Sequence, residues 1–316
     1  MDSVPYYFCL DVMKLLQRDC SQFDETVDVL TGRWKAAARR CADNMHTMFV
    51  SMFFQDDKWQ YTIFDCREND YGSTFEDVLA LDRRFVRCTS IKFVNSSFGH
   101  QSYDTTCSKI LNEMIPFFVQ QSGPYSSLHF TTGLPVEHAR MFLKPLRRWM
   151  DLGLSSMYLK MSYYGQQSED FVAEWVVKDL VEGCLHLYTS WPQTQAVEDL
   201  VLKYLRRKNY IDFYIYGSTS EIEGPLNLNA KLLEATLDTW SKLDNDSFFT
   251  VGGPWSKDVE DLLSIPLPPN VTRAEPTMDG EKVSTIEWTK EDGATLQCKI
   301  EWNNIEFQRS AITIDK

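Results

Sequence analysis

The sequence lacks most of the signatures that announce chemistry. Its eight cysteines (Cys9, Cys20, Cys41, Cys66, Cys88, Cys107, Cys184 and Cys298) stand singly, with no CxxC pair and no Cys-His cluster at metal-ligand spacing. Scattered thiols of this kind suit reduced side chains in a cytosolic or nuclear protein rather than a zinc site or a disulfide framework. No GxSxG elbow, HExxH, GxGxxG or GxxxxGK is present, so the serine-hydrolase, zincin, dinucleotide and P-loop patterns are all missing. No run approaches the roughly 20 apolar residues of a membrane-spanning helix, and the longest near-candidate, Thr47 to Phe54, is strand-length. The start, with Asp2, Asp11, Asp19 and Asp24, lacks a basic and then apolar leader, so secretion is not expected and the Asn-x-Ser/Thr triplets at Asn95, Asn245 and Asn270 read as chance. Positive charge is scarce: 32 Lys and Arg face 45 Asp and Glu, a net charge of −13. Such a balance disfavours nucleic acid as the main partner.

What is there is a chain of 316 residues with 43% hydrophobic content, enough for a sizeable core. Four regions follow from pattern. Residues 1–43 read as helical, with Phe8, Val12, Leu15 and Leu16 on one face, then Phe23, Val27, Leu30 and Trp34 at the same period, and Gly32 as a weak point. Residues 44–70 alternate as a β-hairpin, Met45 to Phe54 and Trp59 to Cys66, and read as a linker.

Residues 71–265 carry a recurring strand motif, each copy followed by a helix-period segment. Its cores begin at Ser90, Ser127, Ser156, Cys184 and Tyr210, with a weaker sixth at Ser247. Repeats of 20 to 50 residues point to stacked units, and strand, helix, strand in this order implies a parallel sheet. Asn229, Ser168 and Thr194 read as helix starts, Pro135 as a helix opening, Gly153 and Gly183 as helix ends, and Pro116 and Pro145 as kinks or early ends. Gly252-Gly253-Pro254 reads as a turn. The expected fold is α/β: a leucine-rich-repeat-like βα solenoid with a parallel sheet. Residues 266–316 add three alternating runs, Val283–Thr289, Thr295–Trp302 and Ile305–Ile314, an antiparallel β-meander closing the sheet edge.

Paired acids such as Glu198-Asp199 and paired bases such as Arg206-Arg207 lie where helix dipoles favour them, which accounts for them without chemistry. The strand motif is more informative. Ile91, Phe93, Leu128, Phe130, Met157, Leu159, Leu185, Leu187, Ile211 and Phe213 alternate toward the helices, so the residues between them face the other way. That outward ladder is Lys92, His129, Tyr158, Lys160, His186, Tyr188, Asp212, Tyr214 and Tyr216, a mixture suited to recognising a protein. His129 and His186, two strands or about 9.6 Å apart, are too distant to share an ion. No metal or cofactor is expected.

The segment Val4-Pro5-Tyr6-Tyr7-Phe8-Cys9-Leu10-Asp11-Val12-Met13-Lys14-Leu15-Leu16, followed by Leu30-Thr31-Gly32-Arg33-Trp34, resembles a divergent F-box. Val4-Pro5 matches the family's opening, Val12, Leu15 and Leu16 its first helix, and Leu30 and Trp34 its close. The whole arrangement also looks like the nematode group of F-box proteins with degenerate repeats. The resemblance covers about 40 residues of the chain. It implies a small helical F-box-like domain, docking through Val4, Pro5, Phe8, Val12, Leu15, Leu16, Leu30 and Trp34 onto a Skp-type adaptor and a cullin ubiquitin ligase, with the C-terminal region choosing a protein target.

The expectation is therefore a non-enzymatic substrate receptor in the cytoplasm or nucleus, with no nucleic-acid or membrane partner. Two alternatives stand beside it. One is an α/β enzyme with a doubly wound sheet and a site at the strand C-terminal ends around Tyr164, Trp191 and Tyr216. The other is a ligase-independent scaffold that binds or sequesters a partner. Strand order separates the first from the receptor: a reversal creates a crevice, a sequential order does not.

Overall fold

A computed structural model describes residues 4–16, 26–69, 72–96, 101–131, 133–150, 158–178, 183–207, 210–217, 226–255, 259–279, 282–301 and 304–309. The chain forms two compact units, Met1–Met157 and Tyr158–Lys316. Each is α/β, with strands that pair both parallel and antiparallel. Among the described residues no helix is long and apolar enough to cross a membrane.

The first unit opens with helices α1 (Tyr6–Leu16) and α2 (Gly32–Asn44). The break expected near Gly32 is there: residues 26–29 are helical, and Gly32 takes a φ of 57° where the second helix begins, a left-handed value that glycine adopts without steric cost. Strands β1 (His46–Gln55) and β2 (Lys58–Asp65) form the hairpin. Asp56 and Asp57 between them both have positive φ, the geometry of a two-residue turn whose twist matches the strands. The hairpin does more than link. Strand β1 pairs in parallel with β3 (Val86–Val94), and β3 pairs in parallel with β5 (Ser122–Phe130), while short β4 (Tyr103–Thr105) lies on β2.

Helix α3 (Phe75–Ala80) is held by a reciprocal capping box between Thr74 and Asp77. A helical run follows from Cys107, passes through a π-helical segment, Ile110–Met114, and continues as α4 (Ile115–Gln120) with Pro116 in its first turn. The irregularity expected at Pro116 thus takes the form of a widened turn before it. Helix α5 (Val136–Met150) begins directly after Pro135 and runs on through Pro145, so the early end expected there does not occur. Its Phe142 lies 4.6 Å from Phe93, which stacks at 4.6 Å on Phe130 across the β3–β5 pair.

In the second unit β6 (Tyr158–Met161), β7 (Leu185–Tyr188), β8 (Tyr210–Tyr216) and β9 (Phe248–Pro254) lie side by side in chain order, all parallel. Between them run α6 (Gln166–Val177), α7 (Gln195–Leu205) and α8 (Ala230–Lys242). Helix α9 (Val259–Ser264) follows β9. Then β10 (Val271–Arg273), β11 (Thr277–Asp279), β12 (Lys282–Lys290), β13 (Thr295–Glu301) and β14 (Asn304–Arg309) complete the unit. Strands β12, β13 and β14 form the expected meander, and β14 pairs antiparallel with β9. Gly252-Gly253-Pro254, expected as a turn, is instead the end of β9. A Cβ on Gly253 would stand 2.8 Å from the Ile215 Cβ, and its φ is 151°. The neighbouring strand comes so close that the backbone can remain extended there without a side chain. Gly153, one of the expected helix ends, lies outside the described residues.

The helix starts are local chemistry. Thr194 and Asn229 each accept from the backbone three residues on, at Val197 and Leu232. Ser168, expected as a start, sits inside α6 and holds its N-terminus by donating to the Gly165 carbonyl and accepting from the Tyr164 amide. Asn229 also donates to Glu198 at 2.6 Å, so it ties α8 to α7 as well as capping it. Asn229→Ala is expected to cost about 1–2 kcal/mol, read as a lowered urea midpoint. A midpoint equal to wild type would show that the cap is not used in solution.

Candidate functional site

The two expected binding surfaces are built differently. In the first unit, α1 turns Cys9, Leu10 and Met13 inward against Val27, Ala37, Ala38, Cys41, Met45 and Phe85. The buried stripe is therefore shifted from the face read in the sequence. Phe8 is 53% exposed, and Val12 is half-buried. Trp34 is half-buried and meets the Phe8 ring edge-on at 6.4 Å. Val4 and Leu30 are half-buried at the border of the core and Pro5 is exposed. The Val4 carbonyl accepts from Arg33 Nη1 at 2.9 Å, which holds the entry to α1 against α2. Leu15 and Leu16 belong to α1, but their side chains lie outside the described residues. Tyr7 and Val29, 67% and 79% exposed, extend the accessible apolar area and were not singled out in the sequence.

The ladder divides between the units. Lys92 and His129 are cross-strand neighbours on β3 and β5 of the first unit, both half-buried. The other seven residues gather in the second. There the helix-facing positions Leu159, Met161, Leu185, Leu187, Ile211, Phe213 and Ile215 are fully buried. Tyr204 of α7 packs 6.0 Å from Phe213 and bonds the Asp212 backbone through its hydroxyl, which fixes that side of β8 as the side covered by helix. The alternate positions Tyr158, Lys160, Tyr188, Asp212, Tyr214 and Tyr216 are half-buried, and His186 is buried among them. Register aligns Lys160 with His186 and His186 with Tyr214, and Tyr188 with Tyr216.

A polar relay runs through this face. The Tyr158 hydroxyl bonds His186 Nδ1, and His186 Nε2 lies 3.1 Å from Asp212 Oδ1. The arrangement is complete when Nε2–H donates to Asp212 and Nδ1 accepts from Tyr158. It has the outline of a nucleophile, base and acid triad, but the electrostatics run the other way. Burial first, then Tyr216 and the Asp212 charge, pushes the Tyr158 phenol far above its ordinary value. Tyr158 is thus kept protonated as a hydrogen-bond donor, whereas an activated nucleophile needs its acidity increased.

Around the relay the rings form a platform. His186 lies 4.4 Å from Tyr158, 5.2 Å from Tyr216 and 6.0 Å from Tyr214; Tyr214 and Tyr216 are 4.6 Å apart. Lys160 Nζ sits 3.6 Å above the Tyr216 ring and 5.1 Å from Tyr188, a cation held on aromatic faces. Burial pushes the Tyr188 phenol up to about 12 and raises Tyr214 and Tyr216 as well. Sequence reasoning found these residues by alternation and missed their neighbours. Gly252 lies under Tyr214, since a Cβ there would stand 2.3 Å from Tyr214 Cε2. Glu306 of β14 is the cross-strand partner of Gly252, and its charge, then those of Tyr216 and Glu301, add to burial in raising the Tyr214 phenol. Strand order is not written in the local pattern of 301–306.

The residues named for an enzyme crevice are divided: Tyr216 lies on the ladder face, the other two inside the unit. Tyr164 and Trp191 are buried, and Trp191 Nε1 donates to the Met161 carbonyl at 2.9 Å, a packing role. Among the described residues one set of metal-ligand type occurs, and none of its members belongs to the ladder. His46, Asp65 and Glu68 bring their ligand atoms within 4.8 Å of one another, with His46 Nδ1 and Asp65 Oδ2 hydrogen-bonded at 2.6 Å. These three could hold a divalent ion only if that hydrogen bond opened, because two ligands of one ion stand farther apart. Comparison with protein-family models, with curated proteins and with solved structures finds no match for this chain.

Proposed function

We propose that the chain is a non-catalytic substrate receptor of a cullin ubiquitin ligase, joined to a Skp-type adaptor through its N-terminal helices and to a protein target through the tyrosine-lined strand face. The observation that carries the reading is at α1 and α2. Their core closes with Cys9, Leu10 and Met13, while Tyr7 and Phe8 remain exposed and the half-buried Trp34 meets Phe8 at the border of that core. Large apolar side chains left outside a finished core mark a contact surface. The reading of the βα units as leucine-rich-repeat-like is supported by the sequential parallel order of β6 to β9, without the reversal on which a doubly wound ligand crevice depends. The receptor would act by holding a target near the ligase and raising its effective concentration.

Phe8→Asp tests the adaptor arm without touching the buried stripe. Co-purification of the adaptor with tagged wild-type chain, and at least a tenfold lower recovery with Phe8→Asp of unchanged thermal midpoint, is the expected result. Equal recovery with both chains, or none with either, would sink the ligase reading. Retained target binding in a chain that never recovers an adaptor would instead favour the sequestering scaffold.

A further inference from the structure

The platform has two unlike ends. At one, Lys160 already supplies a cation to Tyr216 and Tyr188. At the other, Tyr214 rests on Gly252 and leans 4.6 Å from Tyr216, with Glu306 beside Gly252 on the next strand and Glu301 at the end of β13. Both carboxylates are close enough to raise the Tyr214 phenol by their charge. Lys299, opposite Glu306 on β13, is exposed and makes no ion pair with it among the described residues. The Tyr214 end therefore offers an aromatic face with negative charge at its border, in a chain whose net charge is −13.

We propose that this end of the platform is the specificity pocket for an arginine side chain of the target protein, its guanidinium stacked on Tyr214 and bonded to Glu306 and Glu301. The proposal rests on the reading of the strand face as the target surface and names what that surface selects. Arginine fits better than lysine because its plane can lie on a ring while its edge donates to carboxylates. Lys160 adds direction: its charge repels a second cation from the Tyr216 end and leaves Tyr214 as the favourable seat. Gly252 makes the seat rigid, since the ring lies directly on the backbone of β9.

The test is selection of a displayed random 12-residue peptide library on the full chain, followed by fluorescence anisotropy with the enriched peptides. Enrichment of arginine at one fixed position is expected. Replacing that arginine by glutamine should weaken binding at least tenfold, and replacing it by lysine should weaken it severalfold. On the protein side, Glu306→Gln, which keeps the shape of the side chain, and Tyr214→Ala should each weaken the same peptide about tenfold. Glu291→Gln, which removes a turn carboxylate elsewhere in the unit, should leave binding unchanged. Peptides enriched without a cation, or bound equally by Glu306→Gln, would overturn the arginine assignment. If such peptides still required Tyr214, the strand face would remain the target surface. Failure to enrich any peptide over the Tyr214→Ala background would count against both. Adaptor recovery is measured separately and is unaffected by any of these outcomes.

Discussion

Trp191→Ala is expected to lower the stability of the second unit by about 3–5 kcal/mol, the range for removing a fully buried large aromatic ring. Trp191 is wholly buried in the turn between β7 and α7. Its ring lies 5.3 Å from Tyr163, its backbone amide donates to the Tyr188 carbonyl, and its indole donates to Met161 at the end of β6. One residue thus fixes the ends of two neighbouring strands whose outward residues build the platform, its indole holding β6 and its backbone amide β7. Trp191→Phe separates the contributions: it keeps most of the packing and leaves the Met161 carbonyl without its indole donor, a loss of about 1–3 kcal/mol. Urea unfolding followed by hydrogen exchange across Tyr158 to Tyr188 measures both. A cost below 1 kcal/mol for Trp191→Ala would show that this turn is not closed in solution.

The second large effect is alkaline. Tyr158, Tyr164, Tyr188, Tyr204, Tyr214 and Tyr216 all have phenols raised above 10.0, in each case by burial first, and Tyr188 stands at about 12. A raised acid binds its proton more tightly in the folded state, so above pH 10 the unfolded chain holds fewer protons and stability falls with rising pH. The contribution is fully present below pH 10 and is lost as pH rises through 10 to 12 and beyond. Each well-protected phenol adds up to about 1.4 kcal/mol per pH unit to the slope. A thermal midpoint that is steady to about pH 9.5 and then drops steeply is expected, with tyrosinate absorbance appearing in two phases. A single reversible titration of all 14 tyrosines near pH 10, with the fold intact, would show that the platform rings are solvated.

Much of this molecule is legible in its sequence, for a local reason. Period-two alternation marked strand cores at 90–93, 127–130, 156–159, 184–187, 210–213 and 247–250, each overlapping an observed strand, and the cap residues Thr194 and Asn229 marked helix starts, because both signals arise between residues a few positions apart. The same alternation sorted Tyr158, Lys160, His186, Tyr188, Asp212, Tyr214 and Tyr216 onto one face. It failed where a strand or helix has more than one neighbour to satisfy. The hairpin looked like a linker because nothing in its alternation says that β1 also pairs with β3. In α1 the apolar period admits two faces, and contact with α2 and Phe85 selected Cys9, Leu10 and Met13 over Phe8 and Val12.

By itself, then, the sequence determined the α/β class, the order of elements, and which residues of each strand look away from the helices. All of these follow from stereochemistry within a few residues. Tertiary structure alone decided that His186 bridges Tyr158 and Asp212, that Lys160 lies on Tyr216, and that Glu306 pairs across from Gly252, which lies under the Tyr214 ring. Those contacts join residues 26 or more positions apart, and their distances depend on strand register and order, which are fixed by how the whole apolar surface is buried rather than by any local pattern.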